Sequence, residues 1–250
     1  DHSSDQRHQY VMLDAPPTRV ADTFLCVAGE MFLPLAEGAL WWPEQETLIV
    51  SDLHLEKGSS FARRGQFIPP YDTASTLTSV EKLVRRLGPK RVISLGDSFH
   101  DRRAEERLDE TCRGRIRALT STTNWLWVEG NHDPAPPENL GGTGTKEFRL
   151  GPCVFRHEPT NEPGELSGHL HPVARIKARG RSIRRKCFIT DGSRLVMPSL
   201  GAFTGGLNAL DSAITGLFPR GTMVFATSGN RVMLIDNRTL APDCASALKH

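Results

Sequence analysis

The sequence RVISLGDSFHD, residues 91–101, contains an apolar run that ends in a Gly-Asp turn. Two other segments also end an apolar run in polar turn residues, TLIVSD (47–52) before it and NWLWVEGN (124–131) after it. Such short apolar runs bounded by turn residues are typical of buried strands. The intervening segments, 71–88 and 102–119, place apolar residues three or four positions apart and predict helices. The order strand, helix, strand, helix, strand indicates a layered α/β core.

The rest of the chain predicts further strands and few helices. FLCVAG (24–29) and ALWW (39–42) precede the core segments, and more strands follow residue 146: KEFRL (146–150), CVFRH (153–157), CFITD (187–191), RLVMPS (194–199), MVFATS (223–228) and RVMLID (231–236). We expect this half to form a second sheet packed on the first. The predicted fold class is α/β, with a two-sheet β-sandwich core flanked by helices. Residues 21–237 are expected to form a single domain between a loose N-terminal tail (1–20) and a frayed C-terminal tail (238–250).

Composition excludes several classes of protein. The 250 residues carry 31 basic and 29 acidic side chains, with 38% hydrophobic and 24% charged residues, which is typical of a globular chain and not of a disordered one. No apolar run approaches the roughly 18–20 residues that span a bilayer, so no membrane association is expected. The N-terminal residues lack a secretory signal pattern. The five cysteines are scattered without a CxxC pair, which disfavours a disulfide scaffold and favours the cytoplasm.

Histidine marks the functional segments. Five short polar motifs occur in this order: SDLH (51–54), GDSFHD (96–101), GNHD (130–133), RHE (156–158) and GHLH (168–171). The first three follow predicted strands, and the carboxyl ends of strands in α/β sheets are where sites form. If these segments are extended, Asp52 and His54 point to the same face, as do His169 and His171, so each pair is predicted to chelate one cation.

The donor types predict two metal ions. Seven side chains supply carboxylate, imidazole or amide donors: Asp52, His54, Asp97, Asn131, His157, His169 and His171. One metal rarely takes seven such ligands, whereas two metals that share a carboxylate take four each. This donor set suits Mn²⁺, Fe²⁺ or Zn²⁺. Two such ions can activate a water for attack on phosphorus. The alternative for Asp52 and His54 alone is a solvated strand end.

Together the five motifs resemble those of the calcineurin-type metallophosphoesterase superfamily, over about residues 25–235. The resemblance implies an α-β-β-α metallophosphoesterase fold. It implies that one metal binds Asp52, His54, Asp97 and His171, and that the other binds Asp97 as a bridge, Asn131, His157 and His169. It also implies that His132 faces the substrate phosphate.

A narrower resemblance rests on two longer segments. HLEKGSSFARRGQFIPPYDT (54–73) and CFITDGSRLVMPSLGAFTGGLN (187–208) are similar to the bacterial ligase-associated DNA endonucleases. This implies a phosphodiesterase that uses Mn²⁺ to nick DNA in DNA repair, associated with a helicase and an ATP-dependent DNA ligase. His100 stands where phosphoprotein phosphatases have a second Asp, and the GDxFH form is similar to that of SbcD-type nucleases.

Roles for other residues follow from this chemistry. We expect His132 to donate to phosphate oxygens in the transition state, and His100 to orient His132 or to protonate the leaving oxygen. The segment 173–186 carries seven cations and no acid, which favours a polyanion such as single-stranded DNA, although an ordinary exposed hairpin is equally compatible. The cations expected to contact phosphate are Arg63, Arg64, Arg102 and Arg181.

Two other function classes remain open at this point. One is a phosphoesterase or pyrophosphatase acting on a small nucleotide or a lipid-linked phosphate ester, which usually needs an added lid or apolar insert that the sequence lacks. The other is a metal-free binding scaffold on the same fold. The complete set of ligand types disfavours the scaffold.

Overall fold

Two β-sheets pack face to face in the computed structural model, which describes residues 23–58, 72–135, 137–202 and 204–243. The first sheet runs in the order β1-β2-β3-β4-β5-β6-β7, with parallel pairing from β4 onward. Its strands are β1 (Leu25–Val27), β2 (Glu30–Pro34), β3 (Leu40–Trp42), β4 (Thr47–Val50), β5 (Arg91–Ser94), β6 (Asn124–Val128) and β7 (Thr143–Thr145).

The second sheet contains the remaining described strands, in the order β15-β14-β12-β13-β10-β9-β8, and β11 pairs only with β12. They are β8 (Phe148–Leu150), β9 (Cys153–Arg156), β10 (Glu165–Ser167), β11 (Val173–Ala178), β12 (Arg181–Thr190), β13 (Leu195–Val196), β14 (Met223–Ser228) and β15 (Arg231–Ile235). The predicted second sheet is confirmed. The strands β2, β7, β10 and β11 were not predicted, because they are short or, in β11, strongly charged.

Alternation along the central strands creates three apolar layers. In β4, Leu48 and Val50 face the helices, whereas Ile49 faces the second sheet, as a period of two requires. Between the sheets, Ile49 shares a core with Phe155 and Phe188. Residues on the far side of the second sheet form a third cluster with the short helix near residue 214. The chain therefore has the predicted α/β sandwich with flanking helices.

The helices confirm one prediction and correct another. Helix α1 (Asp72–Leu87) matches the predicted helix 71–88. The predicted helix 102–119 is two helices, α2 (Ala104–Arg107) and α3 (Glu110–Thr122), because Leu108 leaves the helical conformation with ψ 128. Asp109 then caps α3 by accepting a hydrogen bond from the Cys112 N–H. The structure also contains α4 (Ser212–Thr215) and two 3-10 turns, Pro43–Gln45 and Asn237–Thr239.

Residues beyond β15 pack on the second sheet, although the sequence predicted fraying from 238. Ala241 is 2% exposed, and its N–H donates to the Arg175 carbonyl in β11. The expected N-terminal tail and residues 244–250 lie outside the described residues. Among the described residues, no helix is long and apolar enough to cross a membrane.

Candidate metal centre

The predicted ligands lie in tight turns at strand ends, and not in extended strands. Asp52 and His54, which follow β4, have φ angles of 52 and 45, and Asp97 after β5 has φ 46. His169 and His171 are also left-handed, with φ 69 and 47. The assumption of an extended backbone was therefore wrong. Asp52 and His54 still face one point, but His169 and His171 belong to different ligand groups.

The first ligand group consists of Asp52, His54 and His171. The Nε2 atoms of His54 and His171 are 3.2 Å apart, and Asp52 Oδ1 is 3.1 Å from His171 Nε2. Asp52 is fully buried, and its Oδ1 accepts no hydrogen bond from the described residues. Its other oxygen, Oδ2, accepts hydrogen bonds from the Ser51 hydroxyl at 2.5 Å and the His169 N–H at 3.0 Å.

The second ligand group consists of Asp97, His157 and His169. His157 Nε2 lies 3.2 Å from Asp97 Oδ2 and 3.2 Å from His169 Nδ1. The two groups are neighbours, because Asp52 Oδ1 of the first is 4.0 Å from His157 Nδ1 of the second. This adjacency is what a pair of metals acting on one phosphate requires.

Backbone carbonyls set the orientation of two imidazoles. His157 Nδ1 lies 2.8 Å from the Leu95 carbonyl, and His171 Nδ1 lies 3.0 Å from the Gly205 carbonyl. A carbonyl oxygen only accepts, so Nδ1 carries the proton in the neutral ring and the Nε2 lone pair faces the carboxylates. In the first group, a buried carboxylate oxygen without a donor faces the His171 nitrogen lone pair, which fits a divalent cation. The second group offers the same types of donor, a carboxylate and two imidazoles.

Burial and ion pairing shift the pKa values of these groups in opposite directions. Burial would raise the pKa of Asp97, but the hydrogen bonds and charges of His157 and His132 together outweigh burial and lower the pKa to about 2. Burial would lower the pKa of His157, but Asp97 and Asp52 raise it to about 9. Burial dominates at His54 and lowers its pKa to about 4. Thus the His54 ring is neutral at pH 7 in the metal-free protein, whereas the His157 ring is protonated on both nitrogens and positively charged.

The remaining catalytic and ligand candidates surround these two groups. The His132 N–H donates to Asp97 Oδ1 at 2.8 Å, and its side chain is 50% exposed. The His132 ring lies 5.6 Å from the His54 ring and stacks on His100 at 5.8 Å between centroids. Asn131 is exposed, and the backbones of its two neighbours, Gly130 and His132, both lie against Asp97. Its coordination, and the bridging role of Asp97, stay predictions.

At two glycines of the motifs, any side chain would collide with a neighbouring candidate ligand. A Cβ on Gly168 would lie 1.9 Å from Ser51 Oγ and 2.5 Å from Asp52 Oδ2. A Cβ on Gly130 would lie 2.3 Å from Asp97 Oδ1. These close approaches connect motifs that are far apart in sequence, and they explain why Gly precedes the ligand in each motif.

Sequence analysis missed residues that hold the ligands. Ser199 donates its hydroxyl to the Asp52 carbonyl at 2.7 Å, and Asp133 Oδ2 accepts from the Ser98 and Phe99 N–H groups at 2.8 and 3.2 Å. Burial, with the charge of Asp97, raises the pKa of Asp133 to about 7. Asp133 belongs to the GNHD motif, which was the available signal. Only the similarity of segment 187–208 pointed to Ser199.

The four arginines expected to contact phosphate lie in different parts of the chain, and the structure describes only two of them. Arg63 and Arg64 lie outside the described residues. Arg102 is exposed and lines a cavity of about 550 Å³ together with Phe99 and Asp133. Arg181 is exposed near the tip of the β11–β12 hairpin, which the segment 173–186 forms. The structure therefore brings the metal ligands together, but it leaves the roles of these arginines as predictions.

This fold and this pair of ligand groups define a metal-dependent phosphoesterase. The chain matches the sequence profile of the calcineurin-like phosphoesterases over residues 46–195, and it belongs to that family. No curated protein matches the chain at a significant level.

Two solved structures resemble the chain. The nuclease MPE of Pseudomonas putida shares 24% identity and a TM-score of 0.66, over 86% of this chain and 100% of that one. Yfce, a phosphoesterase from E. coli, shares 15% identity and a TM-score of 0.38, over 76% of this chain and 97% of that one. The likeness to MPE supports the metallophosphoesterase fold.

The close approach at Gly168 yields a first prediction. Gly168→Ala should weaken metal binding by about 10–100-fold, because the added methyl group displaces Ser51 and Asp52 from the first ligand group. The matched control is Gly114→Ala on the exposed face of α3, where a Cβ has no neighbour within 4 Å outside the helix and alanine favours the helix. Calorimetric titration with Mn²⁺ measures the effect. Equal affinities in the two variants would contradict the proposed role of Gly168.

The charge states yield a second prediction, for the metal-free protein. Metal binding at the second group should release about one proton at pH 7, because the pKa of His157 is about 9 and the metal displaces that proton. Binding at the first group should release less, since His54, with a pKa of about 4, is already neutral. Affinity at the second group should therefore rise with pH until about 9. Calorimetry in buffers of different ionisation enthalpy measures the release, and a release that grows with pH would contradict this assignment.

Proposed function

We propose that this protein is a phosphodiesterase with two divalent metals, most readily Mn²⁺, that acts as a DNA endonuclease. The observation that carries the proposal is the adjacency of the two ligand groups, with Asp52 Oδ1 and His157 Nδ1 4.0 Å apart. The fold likeness to a nuclease supports the choice of substrate. Fe²⁺ and Zn²⁺ fit the same donors, so the metal identity belongs to the proposal.

The ligand groups hold the metals, and the neighbouring histidines act on the substrate. When bound, the metals lower the pKa of a water molecule and neutralise charge on phosphate oxygens. His132 is the exposed imidazole nearest the second group, with its Nε2 3.8 Å from Asp97 Oδ2, so it can donate to a phosphate oxygen there. His100 stacks on His132 and orients it or protonates the leaving oxygen.

The β11–β12 hairpin supplies a basic surface for binding a polyanion, and this surface begins beside the first ligand group. Arg175 and Arg184 lie directly opposite each other across the hairpin, and Asp243, 3.5 Å from Arg184, offsets only part of these like charges. Arg184 also donates to the Gly206 carbonyl, next to Gly205, whose carbonyl holds His171. Single-stranded DNA lying along this hairpin would thus reach the metals.

The biological setting is part of the same proposal. Nicking of DNA suits a role in DNA repair, together with a helicase and an ATP-dependent DNA ligase as functional partners. The four described cysteines are all free thiols, which supports the reducing cytoplasm as the location.

A second candidate is a phosphoesterase that acts on a small nucleotide or a lipid-linked phosphate ester. The cavity of about 550 Å³ beside Asp133 favours it, because its volume suits a nucleotide-sized group. However, the acidic residues Glu105, Glu106 and Glu138 also line this cavity and would repel further phosphate groups.

A nuclease assay tests the function directly. The metal-stripped protein should not cut circular single-stranded DNA, and it should linearise that DNA when Mn²⁺ is restored. Because a circle has no ends, its conversion to the linear form on a gel separates internal cutting from degradation at ends. Cleavage of p-nitrophenyl phosphodiesters or nucleotides without any cleavage of DNA would select the second candidate. Activity of the metal-stripped protein without any added divalent metal would contradict both.

Replacing His132 tests its role as a donor. His132→Ala should lower kcat for DNA cleavage by about 10²–10⁴-fold and leave two metals bound, because its side chain lies outside both ligand groups. Metal content measured by mass spectrometry and single-turnover rates give the two readouts. Full activity in this variant would remove the proposed role.

Charge removal tests the hairpin. Replacing Lys177 and Arg181 by Ala should weaken binding of single-stranded DNA and reduce the slope of log K against log salt by about 0.7 for each phosphate that the variant no longer neutralises. Arg85→Ala on the exposed face of α1 is the matched control and should leave the slope unchanged. An unchanged slope in the hairpin variant would show that DNA binds elsewhere.

A further inference from the structure

Lys186, at the centre of β12, is a largely covered cation that faces no acidic group among the described residues. Its Nζ lies 2.6, 3.4 and 3.2 Å from the carbonyl oxygens of Ser199, Leu200 and Gly201. Burial lowers the pKa of Lys186 to about 8. Taking an ammonium group partly out of water without an acidic partner costs free energy, so its retention calls for a function.

The backbone that Lys186 binds also clamps the turn of the first ligand group. The Leu200 N–H donates to the Ser51 carbonyl at 2.9 Å, and the Gly201 N–H donates to the Asp52 carbonyl at 3.2 Å. The Ser199 hydroxyl donates to the Asp52 carbonyl as well. The segment 199–201 therefore lies between the ammonium on one side and the Asp52 turn on the other.

The peptide groups connect these two sides directly. The Ser199 carbonyl and the Leu200 N–H belong to one peptide, and the Leu200 carbonyl and the Gly201 N–H belong to the next. In both, the carbonyl faces Lys186 and the N–H faces the turn. A cation at the carbonyl polarises the peptide and strengthens the bond that its N–H donates.

The turn needs such support because its backbone is strained. Asp52 and His54 have φ angles of 52 and 45, in the left-handed region that non-glycine residues occupy at a cost. The Asp52 carboxylate is held in the first ligand group only while this turn persists. A clamp on the Ser51 and Asp52 carbonyls therefore acts on the geometry of the metal ligand.

We propose that Lys186 is a positioning residue whose charge, passed through two peptide groups of segment 199–201, fixes the Asp52 turn for metal binding. This inference rests on the proposed metal centre. Lys186 touches neither the ligands nor the substrate, so its effect appears in metal affinity and in the dependence of that affinity on pH.

The pH dependence is assigned to Lys186 because no other titratable group of the described residues faces its ammonium. The described residues of α1 and segment 200–204 that line the adjacent cavity of about 260 Å³ are Ser75, Thr76, Ser79, Leu200, Gly201, Ala202 and Thr204, none of which titrates in the accessible range. Deprotonation above about pH 8 should remove the charge and weaken the clamp.

The experiment compares Lys186→Met, which keeps an unbranched side chain without charge, with Lys82→Met on the exposed face of α1. Anaerobic calorimetric titration of the full metal-stripped chain with Mn²⁺ is carried out at about pH 7 and about pH 9. The first ligand group is recognised as the binding event with the smaller proton release. At pH 7 its Mn²⁺ affinity should fall by about 10–100-fold in Lys186→Met and stay unchanged in Lys82→Met. At pH 9 the difference from wild type should shrink to a few-fold.

Three outcomes are distinguishable. Equal affinities in Lys186→Met and wild type, or a difference that is the same at both pH values, would overturn the inference. A wild-type protein that binds no Mn²⁺ would instead overturn the proposed metal centre. If Lys186→Met fails to fold, NMR of the Zn²⁺-loaded wild type decides. The Leu200 and Gly201 amide resonances should titrate with a midpoint near 8, and amides that do not titrate would overturn the inference.

Discussion

The structure depends on one buried carboxylate, that of Asp52. One of its oxygens is tied to the Ser51 hydroxyl and the His169 N–H, which leaves the other oxygen facing the imidazoles of both ligand groups. Burial alone would raise the pKa of Asp52, but the neighbouring His171 and His157 outweigh it and lower the pKa. The ionised Asp52 carboxylate is therefore shielded from water and held in one orientation. A buried charge of this kind is stable only if cationic or metal partners surround it.

The cost of that arrangement is strain concentrated at the ligands. Asp52, His54, Asp97, His169 and His171 all have positive φ angles, whereas the strands that carry them are regular. Such strain persists where surrounding contacts over-determine the backbone. Here the contacts come from other motifs: the Gly168 backbone fits against Ser51, and segment 199–201 clamps the Asp52 carbonyl. Stability and site geometry are thus coupled through the same few turns.

The sequence predicted what is periodic or chemically distinctive. Apolar alternation located β4, β5 and β6, and the types of residue after each strand identified six ligands that the structure brings together. Local backbone reasoning grouped the ligands wrongly, because it assumed an extended backbone and paired His169 with His171. The family resemblance placed these two histidines on different metals, as the two ligand groups of the structure do. It also missed Ser199 and Lys186. Ser199 acts on Asp52, which is 147 positions away, and Lys186 acts through Ser199, so neither role leaves a local pattern in the sequence.

Anomalous diffraction from crystals grown with Mn²⁺ tests the central claim most directly. The account predicts two manganese peaks, one among Asp52, His54 and His171 and the other among Asp97, His157 and His169, close enough to share one phosphate. A single peak, no peak at saturating manganese, or peaks distant from these side chains would contradict it.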